Sequence, residues 1–217
     1  MVVTPQAFIP KSVLRGERRV VFRGLTWAAY RQIYEAVGQN RSVRLIFDQG
    51  TLEITMPLEE HETAKEWISL FIRNWVILTG RKLKTMGSTT LEREDLFRGA
   101  EPDNAFYIQN WAIVSGKTVQ LPEDPPPDLV VEVDMTHTDI DKNCFYASLG
   151  VPEFWRYDGE QICFFSLHSG TYAERAFSPT FPLLQKEDLY AFLKQCRVDE
   201  VEAELALRSL IQSRVQS

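Results

Sequence analysis

Cysteine is scarce in this chain, and the little there is shows no pattern. Cys144, Cys163 and Cys196 are the only three in 217 residues. They are odd in number, scattered and form no CxxC pair. That excludes a disulfide framework and a zinc ribbon and points to a reducing, cytoplasmic setting. Long apolar runs are absent: no stretch reaches the roughly 18 residues that suggest a membrane span, so no membrane association is expected. The opening MVVTPQAFIPKSVLRGERR lacks the charged start and apolar centre of a secretory signal. Surplus positive charge is absent too. Lys and Arg number 24 against 30 Asp and Glu, a net charge of −6. This argues against a broadly basic nucleic-acid coat, but not against a local basic groove or a metal bridging acids to phosphate. No repeat or low-complexity segment stands out. What is present is ordinary for one globular domain with its own core: 44% hydrophobic and 25% charged residues.

Residues 1–22 read as an N-terminal arm with a short basic stretch, KSVLRGERR. LTWAAYRQIYEAVG predicts a helix, with Thr26 as N-cap and Gly38 as the stop. SVRLIFDQGTLEITMP predicts a hairpin turning at Asp48-Gln49-Gly50. Residues 58–79 show a helical period, with Trp67, Leu70, Phe71, Trp75 and Leu78 on one face. KLKTM, STTLER and DNAFYIQN predict short strands. HTDIDKNCFYASLG predicts a compact helix, with Thr138 and Asp141 as a variant capping box and Gly150 at the stop. PEFWRYD and QICFFSLH predict strands joined at Asp158-Gly159, and TYAERAF one more. From Lys186 onward the pattern is one or two helices. The expected class is mixed α/β in one domain over residues 23–197, with a C-terminal helix at 198–217.

The chemistry gathers on PPPDLVVEVDMTHTDIDK, residues 125–142. Leu129 to Val133 suit a core strand, yet acids run through it. Side chains alternate along a strand, so Asp128, Val130, Glu132 and Asp134 share one face. A buried carboxylate without a partner is costly, so something must compensate these. A second acid, Asp103, heads the strand in EPDNAFYI. If the two strands are neighbours their backbones lie about 4.8 Å apart, and Asp103 and Glu132 can converge on one ion. Two carboxylates plus waters suit Mg²⁺. Lys142, one turn before Tyr146, is placed to orient or deprotonate a water or to stabilise developing negative charge.

Taken together, these residues resemble the PD-(D/E)XK nuclease superfamily, and within it a large family of restriction-endonuclease-like proteins of uncharacterised function. The likeness runs through WAAYRQIYEAVG, LIFDQGTLEITMP, HETAKEWI, GSTTLER, EPDNAFYI, PPDLVVEVDMTHTDIDKNCFYASLGVPEFWRYDG and SPTFPLL. It implies a restriction-endonuclease-like αβββαβ core: a mixed sheet flanked by helices, with core helices at 58–79 and 139–149. An N-terminal helix and β-hairpin precede the core and C-terminal helices follow it. It implies Asp103 and Glu132 as the metal-holding acids, Mg²⁺ or Mn²⁺ as cofactor, and DNA as substrate. The superfamily lysine normally stands two residues after the second acid, where this chain has Asp134. Lys142 resembles a relocated lysine on the second core helix. Some superfamily members also use an acid of the first helix, for which Glu62, beside His61, is the candidate.

Other residues carry weaker expectations. Asp134 is a candidate further ligand or a turn cap. His61, Glu53, Tyr107 and Tyr146 are candidates to line the site, and Asp128 is read as structural. His137 and His168 have no partner at metal spacing. Trp67, Trp75, Phe154 and Trp155 are read as core. Two other readings stay open. One is a non-catalytic nucleic-acid-binding or protein-interaction module on the same fold, favoured by Asp134 in the lysine position and by the acidic balance. The other is a homodimer joined through the C-terminal helix or the hairpin.

Overall fold

A computed structural model describes residues 17–38 and 42–216. In chain order, strand β1 (Glu17–Arg23) leads to helix α1 (Trp27–Val37), the hairpin β2 (Arg44–Asp48) and β3 (Thr51–Pro57), and the long helix α2 (Glu59–Leu78). Four short strands follow: β4 (Lys84–Thr85), β5 (Leu91–Arg93), β6 (Arg98–Ala100) and β7 (Asn104–Tyr107). One helical turn, α3 (Trp111–Val114), precedes β8 (Leu129–Val133). Helix α4 (Lys142–Ser148), β9 (Glu153–Tyr157), β10 (Ile162–His168), β11 (Thr171–Arg175), α5 (Lys186–Cys196) and α6 (Glu200–Gln216) complete the fold.

The local signals act as their chemistry demands. Thr26 caps α1 by accepting from the Ala29 amide at 3.1 Å. Gln49 and Gly50 both take positive φ, 45° and 105°, which gives the two-residue hairpin turn its twist. Glu59, Glu60 and Glu62 occupy the first turn of α2, where the helix dipole favours negative charge.

The strands form two sheets rather than one. The first has five antiparallel strands in the order β1-β3-β2-β6-β5. The second has six, in the order β11-β10-β9-β8-β7-β4, and is mixed because β8 and β9 run parallel. Helix α4 is their crossover, so α2, β4, β7, β8, α4 and β9 supply the expected αβββαβ order. All five residues of β8 are buried. Leu129, Val131 and Val133 join a core with Ile68, Phe71 and Ile72 of α2. Val130 joins a second core with Phe145 and Tyr146 of α4 and Phe154. Glu132 shares the α4 face with Val130.

Several expectations need correction. The expected hairpin is present, and it joins a five-stranded sheet that the sequence did not reveal. STTLER contributes only Leu91–Arg93, and these residues pair in that first sheet with β6, a strand the sequence reading did not assign. The second core helix starts at Lys142, not at 139, and its N-cap is Asp141, which accepts from the Cys144 amide at 3.0 Å. Thr138 does not cap it: it stands in the loop ahead of the helix, where its hydroxyl accepts from the Ile140 amide at 3.3 Å and donates to Glu53 at 3.1 Å. Residues 17–22, read as part of an arm, lie in β1; residues 1–16 fall outside the described residues. The C-terminal helix packs on α2, burying Ala203, Leu207 and Ile211. Trp75, Phe154 and Trp155 are core, and Trp67 is only partly buried against it. Among the described residues no helix is long and apolar enough to cross a membrane.

Candidate functional site

Strands β7 and β8 create the site. Asn104 pairs with Val131 and Ala105 with Val130. The same antiparallel register, continued by one residue, sets Asp103 opposite Glu132. Asp103 Oδ2 accepts from the Val133 amide at 2.6 Å, which ties the head of β7 to the end of β8. Both carboxylates are buried, at 3% and 4% exposure, and both line one small cavity with Glu17, Arg44, His61 and Lys142. Its free volume is about 20 Å³, room for about one water or one ion.

Helix α4 delivers the cation. Lys142 is the first residue of that helix, and its Nζ donates to Glu132 Oε2 at 2.8 Å and to Asp134 Oδ1 at 2.6 Å. Burial opposes its charge, but Asp134 and Glu132 outweigh burial, and its pKa is raised. Lys142 is therefore an ammonium at neutral pH and in this state accepts no proton. Burial likewise opposes the charge of Asp134, and Lys142 and Arg19 outweigh it, holding the carboxyl below its usual range. One helical turn on, the Tyr146 hydroxyl donates to Glu132 Oε1. Burial, and then the Glu132 charge, push that phenol well above its ordinary pKa, so it stays a donor. Glu132 is thus held from both oxygens by α4.

The first sheet supplies a second set of groups. Arg19 of β1 donates to Glu17 Oε1 at 2.5 Å and to Asp134 Oδ1 at 2.7 Å, and it also pairs with Glu53. Arg44 of β2 forms an ion pair with Asp103 and donates to Glu62 Oε1 at 2.5 Å. His61 is buried at 2% exposure. Its Nε2 lies 3.2 Å from Asp103 Oδ2 and 3.6 Å from Glu17 Oε2. Five carboxylates, Glu17, Glu53, Asp103, Glu132 and Asp134, are at most 5% exposed. The cations buried with them are Arg19, Arg44 and Lys142; Arg156, 39% exposed, approaches Asp134 Oδ2 at 3.3 Å. Negative charge is in excess, as a cation-binding site requires.

The remaining candidates fall on either side of the cavity wall. Glu62 points to Arg44 and Lys65 and its side chain is 40% exposed. His61, whose Nδ1 stands 3.4 Å from Glu62 Oε1, then Lys65 and Arg44, hold its carboxyl at about 2 against the opposing effect of burial. Glu53 is fully buried and clamps the loop before α4, accepting from the Asp139 amide at 3.0 Å. Tyr107 is not brought to the cavity: its hydroxyl donates to the Pro125 carbonyl at 2.7 Å. Asp128 is also remote, accepting from the Ile108 and Asn110 amides at 2.7 and 2.9 Å and from Asn110 Nδ2 at 2.6 Å. His137 and His168 are exposed.

Sequence reasoning missed Glu17, Arg19 and Arg44. A faint signal existed for the first two. In ERRVVFR three charged residues stand in a row, and Glu17 and Arg19 fall with Val21 on the inward face of the strand. Glu17 is buried, while Val20 and Phe22 are 45% and 46% exposed. Such inversion reads as solvated arm. Arg44 had no local signal, because its partners lie 18 and 59 positions away in sequence.

Among the described residues no three acid, histidine or cysteine side chains stand together at metal-ligand spacing. Arg44 engages Asp103 and Lys142 engages Glu132 instead. The donor set is nonetheless the hard, oxygen-rich kind that Mg²⁺ and Mn²⁺ prefer. No curated protein matches the chain. A family model, Uma2, described as "Putative restriction endonuclease", matches residues 27–196. That span takes in α1 to α5, and with them Asp103, Glu132 and Lys142. The chain therefore belongs to the Uma2 family of the restriction-endonuclease-like superfamily.

Proposed function

We propose that the protein is a divalent-cation-dependent endonuclease hydrolysing phosphodiester bonds in DNA. The observation that carries this reading is the register of β7 and β8, which sets Asp103 across from Glu132 on a cavity that Lys142 also lines. Asp103 and Glu132 would hold Mg²⁺ or Mn²⁺, and Asp134 would act through Lys142 rather than as a ligand. When bound, the ion supplies polarisation of the scissile phosphate and a lowered pKa for the attacking water.

The chain's own residues do the rest. Tyr146 and Lys142 fix the rotamer of Glu132, so this acid is preorganised. Lys142, kept protonated by its two acids, stabilises negative charge developing on the phosphoryl oxygens. Arg44 competes with a cation for Asp103 and has Glu62 as its alternative partner. Loading the site therefore requires Arg44 to give up Asp103 and keep Glu62.

A second reading rests on those same pairs. Every acid of the site already has a cation or hydroxyl partner, which suits a non-catalytic nucleic-acid-binding module. Plasmid nicking in Mg²⁺ or Mn²⁺ separates the two. The nuclease reading predicts nicking by the wild type and none by folded Asp103→Ala or Glu132→Ala. DNA binding without nicking favours the module.

A further inference from the structure

The excess negative charge of the site attracts a cation but repels a nucleic-acid backbone, so the backbone needs a cation it can reach. Arg19, Arg44 and Lys142 do not provide one. Their side chains are 8%, 14% and 6% exposed, and each is paired with acids. Arg156 differs. It stands directly across from Glu132 in the parallel register of β8 and β9, where neighbouring backbones lie about 4.8 Å apart. Two residues earlier Val130 is paired with Phe154, and both lie in the core that α4 covers, so Arg156 shares the face of Glu132. Its side chain is 39% exposed, and its Nε approaches Asp134 Oδ2 at 3.3 Å. Asp141 feels its charge without pairing with it. Among the described residues Nη1 and Nη2 have no hydrogen-bond or ion-pair partner. Asp134 also accepts from Lys142 Nζ at Oδ1, 2.6 Å away. One buried carboxylate therefore fixes the ammonium of the cavity and steers a guanidinium at its edge, with the two-donor Nη fork left free.

We propose that Arg156 is a substrate-binding residue: its Nη fork takes two oxygens of a backbone phosphate next to the one at the cavity, and so holds nucleic acid over Glu132 and Lys142. This rests on the nucleic-acid reading above and deepens it. The planar guanidinium matches phosphate in two parallel hydrogen bonds, and Asp134 limits the rotamers it must give up on binding. Arg156 touches a phosphate that does not react, so its contribution is to affinity and register rather than to the chemical step.

The test is the affinity for a fluorescein-labelled DNA duplex, read by anisotropy in EDTA from about 50 to 200 mM salt, with thermal unfolding measured alongside. Wild type is compared with Arg156→Gln, Arg156→Lys and Arg175→Gln, the last an exposed arginine of edge strand β11 that gives the same change of charge. The proposal expects Arg156→Gln to fold, to bind at least about fivefold more weakly near 150 mM salt, and to lower the slope of log affinity against log salt by about one. Arg156→Lys keeps that slope and recovers part of the affinity, because an ammonium meets phosphate as a point charge. Arg175→Gln stays near wild type. A purely structural Arg156 would lower the unfolding temperature and leave the affinity and slope of the folded protein unchanged, which overturns the proposal but not the nuclease reading. An equal loss in Arg175→Gln overturns it in the same way. Absence of DNA binding by the wild type also overturns it, and plasmid nicking then still decides the nuclease reading. If Arg156→Gln does not fold, Arg156→Lys carries the test: wild-type affinity would count against the contact, and weakened affinity at an unchanged slope for it.

Discussion

Asp128, just ahead of β8, and Glu132, within it, stand four residues apart and have opposite surroundings. Asp128 is satisfied entirely by neutral donors: two backbone amides and one side-chain amide. Every side-chain bond it makes ties the 108–110 segment to the start of β8. Glu132 is satisfied by an ammonium and a phenol from a helix, beside a cavity with excess negative charge. The lesson is that a buried acid's donors reveal its work. Amide donors arrive with the backbone and make a clamp. Long side chains brought from other elements make a site that can exchange one positive partner for another.

The comparison breaks most severely at Lys142. Lys142→Met leaves Glu132 and Asp134 short of their shared cation, and removing one partner from a buried pair costs about 3–5 kcal/mol. Urea unfolding should show that loss, together with loss of any nicking activity. At the other end of the strand, Asp128→Ala leaves one buried and two part-buried donors without their acceptor and should cost about 3 kcal/mol. Calorimetry on this variant should give unchanged Mn²⁺ affinity, since its bonds do not reach the cavity. If Asp128→Ala weakens Mn²⁺ binding as much as Glu132→Gln does, the distinction between clamp and site fails.

Smaller effects sharpen the account. Arg44→Gln removes the competitor at Asp103 and should tighten Mn²⁺ binding about tenfold, some 1.4 kcal/mol; weaker binding would show that Arg44 organises the acids rather than competing. The smallest effect is at Glu62. Its folded carboxyl sits at about 2, below the roughly 4.3 of an unfolded glutamate. The stabilisation is present above the unfolded value and fades as pH falls from there toward 2. The 40% exposure of the side chain lets solvent screen the interaction, so Glu62→Gln should flatten the acid limb of stability against pH by less than about 1 kcal/mol. A thermal-melt series from pH 5 to 2, spanning about that window, reads it.

Much of the fold was legible because it is local. Thr26, the Gln49-Gly50 turn, the period of α2 and the alternation in 128–134 each act over a few residues. The partition into two sheets was not, because β4, β5 and β6 are two or three residues long and gain their strand character only from their neighbours. In the site, the placement of Asp103, Glu132 and Lys142 follows from strand register and one helical turn. The groups facing them do not. Arg19, Arg44 and Glu17 come from the other sheet, and their meeting with β8 is a fact of tertiary packing. His61 was read as a candidate to line the site beside Glu62, and it is the buried one of the two.

One experiment bears most directly on the claim that Asp103 and Glu132 form a working cation site. Mn²⁺ is titrated into wild type and Glu132→Gln by calorimetry, and the same samples are then given supercoiled plasmid. The account predicts saturable binding and nicking by the wild type, with both lost in the folded variant. Equal heats and equal nicking in the two proteins would contradict it, and would leave Glu132 an acid held only for the stability of α4.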